Sequence, residues 1–221
     1  MECDMAAQAG GRSGRLRLIH GARGAAARPR RLGPMADLDD GQLVALARNN
    51  DVVAFEVLYR RHVGYALNLA VRIQGGVTDV EDITHDAFLR AHARLGELRD
   101  PAAFRSWLGA IVVRLVRTRL RRRRLLRAVG LGAPDPVDLE AIASSEAGPE
   151  ARALLAQVYA LLQTVPPDER IAWTLRYVER HRLEAVAELC ACSLATAKRR
   201  IQRTQRYLAE HFVTPYAEES T

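Results

Sequence analysis

The side chains in this chain best placed to do definite chemistry are guanidinium groups. Between residues 194 and 208, Leu194, Ala197, Ile201, Thr204 and Leu208 recur by threes and fours, which is one buried stripe of a helix. Arg199, Arg203 and Arg206 fall on the opposite face, with Thr196 and Gln202 beside them. A second basic row lies at 114–127, where Arg114, Arg117, Arg119, Arg121, Arg122, Arg123, Arg124 and Arg127 stand with no acid among them. Arg114, Arg117, Arg121 and Arg124 are spaced by three, four and three, so they form one line on a helix. Eight like charges on one helix oppose folding unless an anion offsets them, and a phosphate backbone is such an anion. Either row could instead be an ordinary solvated face, since spacing alone does not separate the two cases.

Other chemistries find less support. Asp82, His85 and Asp86 share one face of a helix and could ligate a metal, but no second segment offers a completing His or carboxylate cluster. A surface acidic helix carrying one His is the commoner object. The chain has no Gly-rich phosphate loop, no nucleophile motif and no HExxH. An enzyme is therefore not expected, nor is a cofactor. Cys3, Cys190 and Cys192 are an odd number without framework spacing, which argues against a disulfide scaffold. Cys190 falls where an apolar residue is needed, and free Cys packs as a small hydrophobe.

The arginines of 198–206 need a helix that is tightly aimed. Residues 184–190 form a short helix, 191–193 a turn, and Ser193 is a good N-cap for the helix that follows. A short helix, a tight turn and a second helix apolar on one side and basic on the other make the helix-turn-helix pattern. Its second helix would enter the major groove of DNA, N-terminal residues nearest the base edges.

The rest of the chain is patterned as helices throughout. Residues 39–48 form a short helix. Residues 52–73 form a long one, burying Phe55, Leu58, Tyr59, His62, Ala66, Leu69 and Ile73, and Gly75 and Gly76 end it. Thr78 and Glu81 have capping-box spacing for a helix reaching about residue 95. Asp100 and Pro101 start the helix that carries the first arginine row. Residues 128–150 hold five acids and no base among Gly, Pro, Ala and Ser, a linker whose charge suits it to shield the basic segments when no DNA is bound. Helical patterning resumes at 150, is punctuated by Pro166 and Pro167, and continues over 168–178 into the helix-turn-helix.

Composition agrees with a cored protein that has a polyanionic partner. The 221 residues are 48% hydrophobic but only 5% aromatic, so the cores are mostly Leu, Val, Ile and Ala. The formal charge is +7, and Lys198 is the sole lysine. Arginine crowds residues 1–31, 105–127 and 198–206, whereas acids crowd 79–86 and 135–150, an asymmetry that suggests separate surfaces for different partners. No apolar run reaches the roughly 20 residues needed to span a bilayer, so no membrane insertion is expected and a cytoplasmic location is. Residues 1–34 read as a disordered basic extension; a second possibility is that translation begins at Met35.

Taken in order, the segments AFEVLYRRH (54–62), DVEDITHDAFLRAHARL (79–95), FRSWLGAIVVRLVRTRLRRRR (104–124) and VPPDERIAWTLRYVE (165–179), followed by the helix-turn-helix, resemble a bacterial RNA polymerase sigma factor of the extracytoplasmic-function group. The likeness runs over about 37–212. It implies an all-α protein with two small helical domains on a flexible acidic linker. The expected boundaries are a region-2-like domain at 35–127, a linker at 128–149, a region-4-like domain at 150–213 and a frayed tail at 214–221. The partners it implies are core RNA polymerase and promoter DNA, with an anti-sigma factor as a further one.

The resemblance also assigns residues. Asp79, Glu81, Asp82 and Asp86 lie on the helix that docks on the polymerase. Arg105, Arg114, Arg117, Arg119, Arg121, Arg122 and Arg124 lie on the helix that binds and helps open the downstream (minus-ten) element. Ser193, Thr196, Lys198, Arg199, Arg200, Gln202, Arg203 and Arg206 lie on the reader of the upstream (minus-thirty-five) element. The sequence departs from the family pattern at Arg180 and Arg182, where a Gly and a capping Ser or Thr are usual, and at Ala191, where the turn usually has Gly. Arg114 and Thr118 replace a common Asn and Asp. A stand-alone helix-turn-helix regulator is the rival expectation; it leaves the acidic 79–86 helix without a purpose.

Overall fold

In the first bundle, side-chain caps set where two of the helices begin. The computed structural model describes residues 35, 37–131, 136–143 and 147–212, so the expectations for the N-terminal extension, Cys3 and the C-terminal tail lie outside it. Asp39 caps α1 (Asp40–Arg48) through a full capping box with Gln42, at 2.8 and 3.0 Å. Asp51 caps α2 (Val52–Gln74) by accepting from the amides of Val53 and Ala54, and Gly75 ends it in the left-handed region at φ 71°. Next come α3 (Val80–Ala93) and α4 (Phe104–Ala128). A 3-10 turn at Pro101–Ala103, capped by Asp100, leads into α4 in place of the continuous helical start expected.

A single turn, α5 (Leu139–Ile142), lies in the linker. The second bundle is α6 (Pro149–Thr164), α7 (Pro167–Tyr177), α8 (Leu183–Leu189) and α9 (Leu194–His211). Among the described residues every regular element is helical, which makes the fold all-α with two helical bundles joined by a short connection.

The capping box expected at Thr78 and Glu81 does not form. Asp79 is the N-cap of α3, sits in the left-handed region at φ 58° and makes no side-chain cap hydrogen bond. Its carboxylate turns to α4 instead, 3.0 Å from Arg123 and 3.4 Å from Arg119. An ion pair with two arginines has displaced the local cap.

The apolar spacing was a sound guide to most buried positions. Leu58, His62, Ala66, Leu69 and Ile73 of α2 are buried, as are Val80, Ile83, Ala87, Phe88 and Ala91 of α3. Tyr59 and Leu194, both expected inside, are exposed. Tyr59 instead packs edge-on against Phe88, 4.7 Å between ring centroids, at the rim of the bundle.

The two bundles do not stay apart. One apolar cluster runs from α1–α4 into Ile171, Ala172 and Leu175 of α7 and Val186, Ala187, Leu189 and Cys190 around α8. A smaller cluster joins Tyr159, Leu162 and Leu208, with Val137 and Ile142 of the connection packed against it. The C-terminus of α2 is the seam. Arg170, only 4% exposed, donates from Nε to the Ile73 carbonyl at 3.0 Å and from Nη2 to that of Gln74. The Tyr159 hydroxyl donates to the Arg72 carbonyl at 2.8 Å. These carbonyls belong to the last turn of α2, where the helix itself supplies no donor and the dipole favours a cation. Gly75 is required there, because a Cβ would lie 2.6 Å from the Tyr159 ring.

Candidate nucleic-acid interface

The helix-turn-helix is α8, a turn at 190–193, and α9. Ser193 caps α9, its hydroxyl accepting from the Thr196 amide at 3.2 Å. Ala187, Leu189 and Cys190 share one buried apolar cluster with Ala197 and Ile201 of α9. Burial also raises the Cys190 thiol, to about 11, which keeps it neutral and makes it an apolar core residue. The departures from the family's glycine pattern carry a backbone consequence. Ala191 has φ 50° and Arg180 φ 56°, so both non-glycine residues occupy the left-handed region. The turn keeps its left-handed bend and absorbs the strain of a Cβ. Arg182 is the N-cap of α8 and makes no side-chain cap bond.

The outer face of α9 is open. Lys198, Arg199, Gln202, Arg203 and Arg206 are exposed, Ser193 is exposed at the N-terminus, and Thr196 and Arg200 are half-buried. Arg203 reaches Glu169 at 3.3 Å, and Arg199 reaches the Thr196 hydroxyl at 3.4 Å. Among the described residues Lys198, Arg199 and Arg206 have no carboxylate partner.

The arginines of α4 are arranged differently. Arg117 places Nε 2.9 Å from Asp168 Oδ1, an ion pair out of hydrogen-bond alignment, and donates from Nη2 to the Cys190 carbonyl at 2.8 Å. Arg121 donates to Asp168 Oδ2 at 2.5 Å. Arg119 and Arg123 face Asp79. Among the described residues, four of the eight guanidinium groups thus have carboxylates of this chain beside them. The expected anionic offset exists, but much of it comes from within.

Arg114, Arg122 and Arg124 point outward. Arg105 lies over the Tyr65 ring, 4.4 Å from its centroid, near the start of α4. Two of the linker acids are engaged locally, Asp138 capping α5 and Glu140 pairing with Arg152; Asp135 and Glu146 lie outside the described residues. The shielding carboxylate facing Arg117 and Arg121 is on α7. The sequence pattern did not single out Asp168, and it placed Arg123 in the basic row without giving it a role; the only signal for Asp168 was an acidic pair, Asp168 and Glu169, at the start of a helix.

On α3, Glu81 and Asp82 are exposed and Asp86 is half-buried, with Leu89 exposed one turn beyond. Asp79 is the member of the acidic set that turns inward. No group of three His, Cys, Asp or Glu side chains among the described residues is placed to hold a metal. None of the described helices is long and apolar enough to cross a membrane.

Two helical bundles, one carrying an arginine-lined helix and the other a helix-turn-helix, define a DNA-directed transcription protein, and comparison with known proteins gives the family. Residues 58–125 match the model for Sigma-70 region 2, and residues 155–206 match that for Sigma-70, region 4. The RNA polymerase sigma-H factor of Pseudomonas aeruginosa is 31% identical over 180 residues, covering 75% of this chain and 90% of that one. The ECF RNA polymerase sigma-E factor of Escherichia coli is 29% identical over 182 residues, covering 76% and 91%. A solved structure of CnrH in complex with the cytosolic domain of CnrY is 26% identical, covers 77% of this chain and 95% of that one, and has a TM-score of 0.53. The chain belongs to the sigma-70 family, in the extracytoplasmic-function group of bacterial RNA polymerase sigma factors. It is a non-catalytic factor that directs transcription initiation by core RNA polymerase.

Proposed function

We propose that the three charged surfaces divide promoter recognition among them. Helix α9 reads the upstream element from the major groove. Ser193 and Thr196 sit at its N-terminus, and Lys198, Arg199, Gln202, Arg203 and Arg206 are the outward donors, with Arg200 at their edge. Guanidinium and amide side chains on such a helix match guanine and adenine edges and flanking phosphates. Helix α4 serves the downstream element with Arg105, Arg114, Arg117, Arg119, Arg121, Arg122 and Arg124. The acids of α3, Glu81 and Asp82 exposed and Asp86 half-buried, dock on a basic surface of the polymerase. The observation that carries this division is the outer face of α9. It is aimed by a Ser193-capped turn and holds three cations with no carboxylate partner among the described residues.

A further protein partner of the anti-sigma kind is proposed as well. The similar CnrH was solved with the cytosolic domain of CnrY bound, and the sigma factor RpoE, alike in fold, was solved with the anti-sigma factor NepR from Bartonella quintana.

The test is run-off transcription on genomic fragments with core polymerase, together with co-purification. Glu81→Lys, Asp82→Lys and Asp86→Lys in one chain should abolish association with core enzyme, and Asp79 is left intact because it holds Arg119 and Arg123. Association at wild-type strength would remove α3 as the docking helix. A chain that confers no start-site selection on any template would remove the whole division of roles.

A further inference from the structure

We infer that the free protein latches its own downstream-element helix shut, with Asp168 on α7 occupying the guanidinium groups that would otherwise meet DNA phosphate. The inference rests on the roles proposed above for α4 and α9.

Asp168 is shared by both bundles. Its Oδ1 lies 2.9 Å from Arg117 and its Oδ2 2.5 Å from Arg121, while Arg200 of α9 approaches Oδ2 at 4.0 Å. The carboxylate is thus the anion that occupies the space between the two helices assigned to DNA. Arg117 is doubly engaged, because it also donates to the Cys190 carbonyl at the end of α8. Its side chain is 17% exposed, so α4 cannot present it to a duplex while α7 lies against it.

A surface ion pair alone would be a weak catch. This one is held in register by buried groups one turn away. Arg170 and Tyr159 bind the last carbonyls of α2, and both are buried. Arg72 adds a pair with Glu179 at 2.9 Å across the same seam. The buried bonds fix the position of α7, and the exposed pairs are the part that a polyanion can compete for. The latch is selective: it takes Arg117 and Arg121 of α4 but leaves Lys198, Arg199 and Arg206 of α9 outside. Lys198, Arg199 and Arg206 of the upstream reader are thus available in the free protein, whereas Arg117 and Arg121 of the downstream surface become available only when the bundles part.

Opening then controls apparent affinity, because a state that is competent only part of the time binds weaker by the fraction open. Asp168→Asn removes the competitor at both arginines and keeps the side-chain shape. Glu179→Gln weakens the same seam without touching any residue assigned to DNA or polymerase. Glu184→Gln is the control: it makes the same change in charge at an exposed site outside the seam. The probes are solution scattering of the full chain and binding of a labelled random-sequence DNA duplex at several salt concentrations, with circular dichroism to verify helix content.

Relative to Glu184→Gln, both seam variants should increase the radius of gyration. They should also tighten duplex binding by about three- to tenfold and steepen its salt dependence, since more phosphates are neutralised once α4 is free. An unchanged radius of gyration in both would overturn the latch. So would expansion without tighter binding, because α4 would then not have been masked. If Asp168→Asn loses helix content, Glu179→Gln decides alone. The parent assignment fails separately: it is lost if the wild type confers no start-site selection on core enzyme, whatever the scattering reports.

Discussion

Helices α4 and α9 are both rich in arginine, and they use it in opposite ways. On α9 the charges lie away from the core, and three of them have no carboxylate partner among the described residues. On α4 the middle of the row turns toward the rest of the protein: Arg117 and Arg121 to α7, Arg119 and Arg123 to the start of α3. The difference follows from what each helix packs on. Helix α9 has one apolar stripe and rests on its own bundle, so its opposite face stays in solvent. Helix α4 is covered on several sides, by α2 and α3 within its bundle and by α7 and α8 of the other. A long basic helix between two bundles needs anions inside the protein, whereas one at the edge can leave its charge for a partner. Arginine count therefore says little about which surface is ready for DNA; the neighbouring carboxylates decide.

The largest effect that would break this contrast is at Arg170. Arg170→Ala leaves the Ile73 and Gln74 carbonyls without their charged donor in a buried seam. Charge-assisted hydrogen bonds contribute about 1.5–3 kcal/mol each, so a loss of about 3 kcal/mol in unfolding free energy is expected. Urea unfolding measures it. A loss below about 0.5 kcal/mol would mean that the seam does not hold the bundles in solution, and the enclosure of α4 would go with it.

Next in size is the comparison of matched substitutions. Arg199→Ala should weaken binding to an upstream-element duplex by about 1–3 kcal/mol if its contact is bidentate to a base, with the melting temperature unchanged. Arg117→Ala should do the reverse, lowering the melting temperature while changing duplex binding less, because its present partners are Asp168 and the Cys190 carbonyl. Fluorescence anisotropy and thermal unfolding on the same preparations separate the two. Equal losses in both assays for both variants would erase the distinction between the helices.

The turn that aims α9 offers a smaller test. Ala191 holds φ 50° with a Cβ present, and a left-handed residue of this kind costs about 1–2 kcal/mol relative to its right-handed form. Ala191→Gly should therefore stabilise the protein, by about 0.5–1 kcal/mol once the greater freedom of glycine in the unfolded chain is counted. Destabilisation would mean that the Ala191 methyl has a packing role that outweighs its backbone strain.

Local patterns made the elements legible and left the seam unread. The apolar spacing of α2 and α3 located their buried faces, and Ser193 was recognisable as a cap because a cap depends on residues within one turn. The Thr78 and Glu81 box failed for the complementary reason. Asp79 is drawn away by Arg119 and Arg123, some forty residues later in the chain, and no short window contains that competition. Asp168 was missed for the same cause: an acid near a helix start suits the dipole and needs no other explanation. Arg117, Arg121 and Asp168 become one cluster only after the two bundles pack. Tyr59 and Leu194 fell on apolar stripes but stand at the ends of their bundles' cover, where spacing continues and the neighbouring layer does not.

The smallest effect lies at the start of α4, where His62 sits between the two kinds of environment. Its Nε2 lies 2.8 Å from Asp40, and its ring meets Phe104 at 5.3 Å between centroids. Burial lowers its pKa below the ordinary value; Asp40 pulls the other way, and the nearby Arg105 and Arg61 add to the lowering. Because the folded state resists the proton and the unfolded state accepts it near pH 6.5, the sign is fixed. Stability is full above about pH 6.5 and falls as the pH drops from there through the lower folded value. Melting temperatures should decline from about pH 7 to about pH 5, and His62→Gln, which keeps a donor for Asp40 but does not titrate, should flatten the decline. A decline of equal slope in the variant would show that the His62–Asp40 contact is not where the fold loses its stability to acid, and the anchoring of the first turn of α4 through Phe104 would lose its claim to be the acid-sensitive part of the fold.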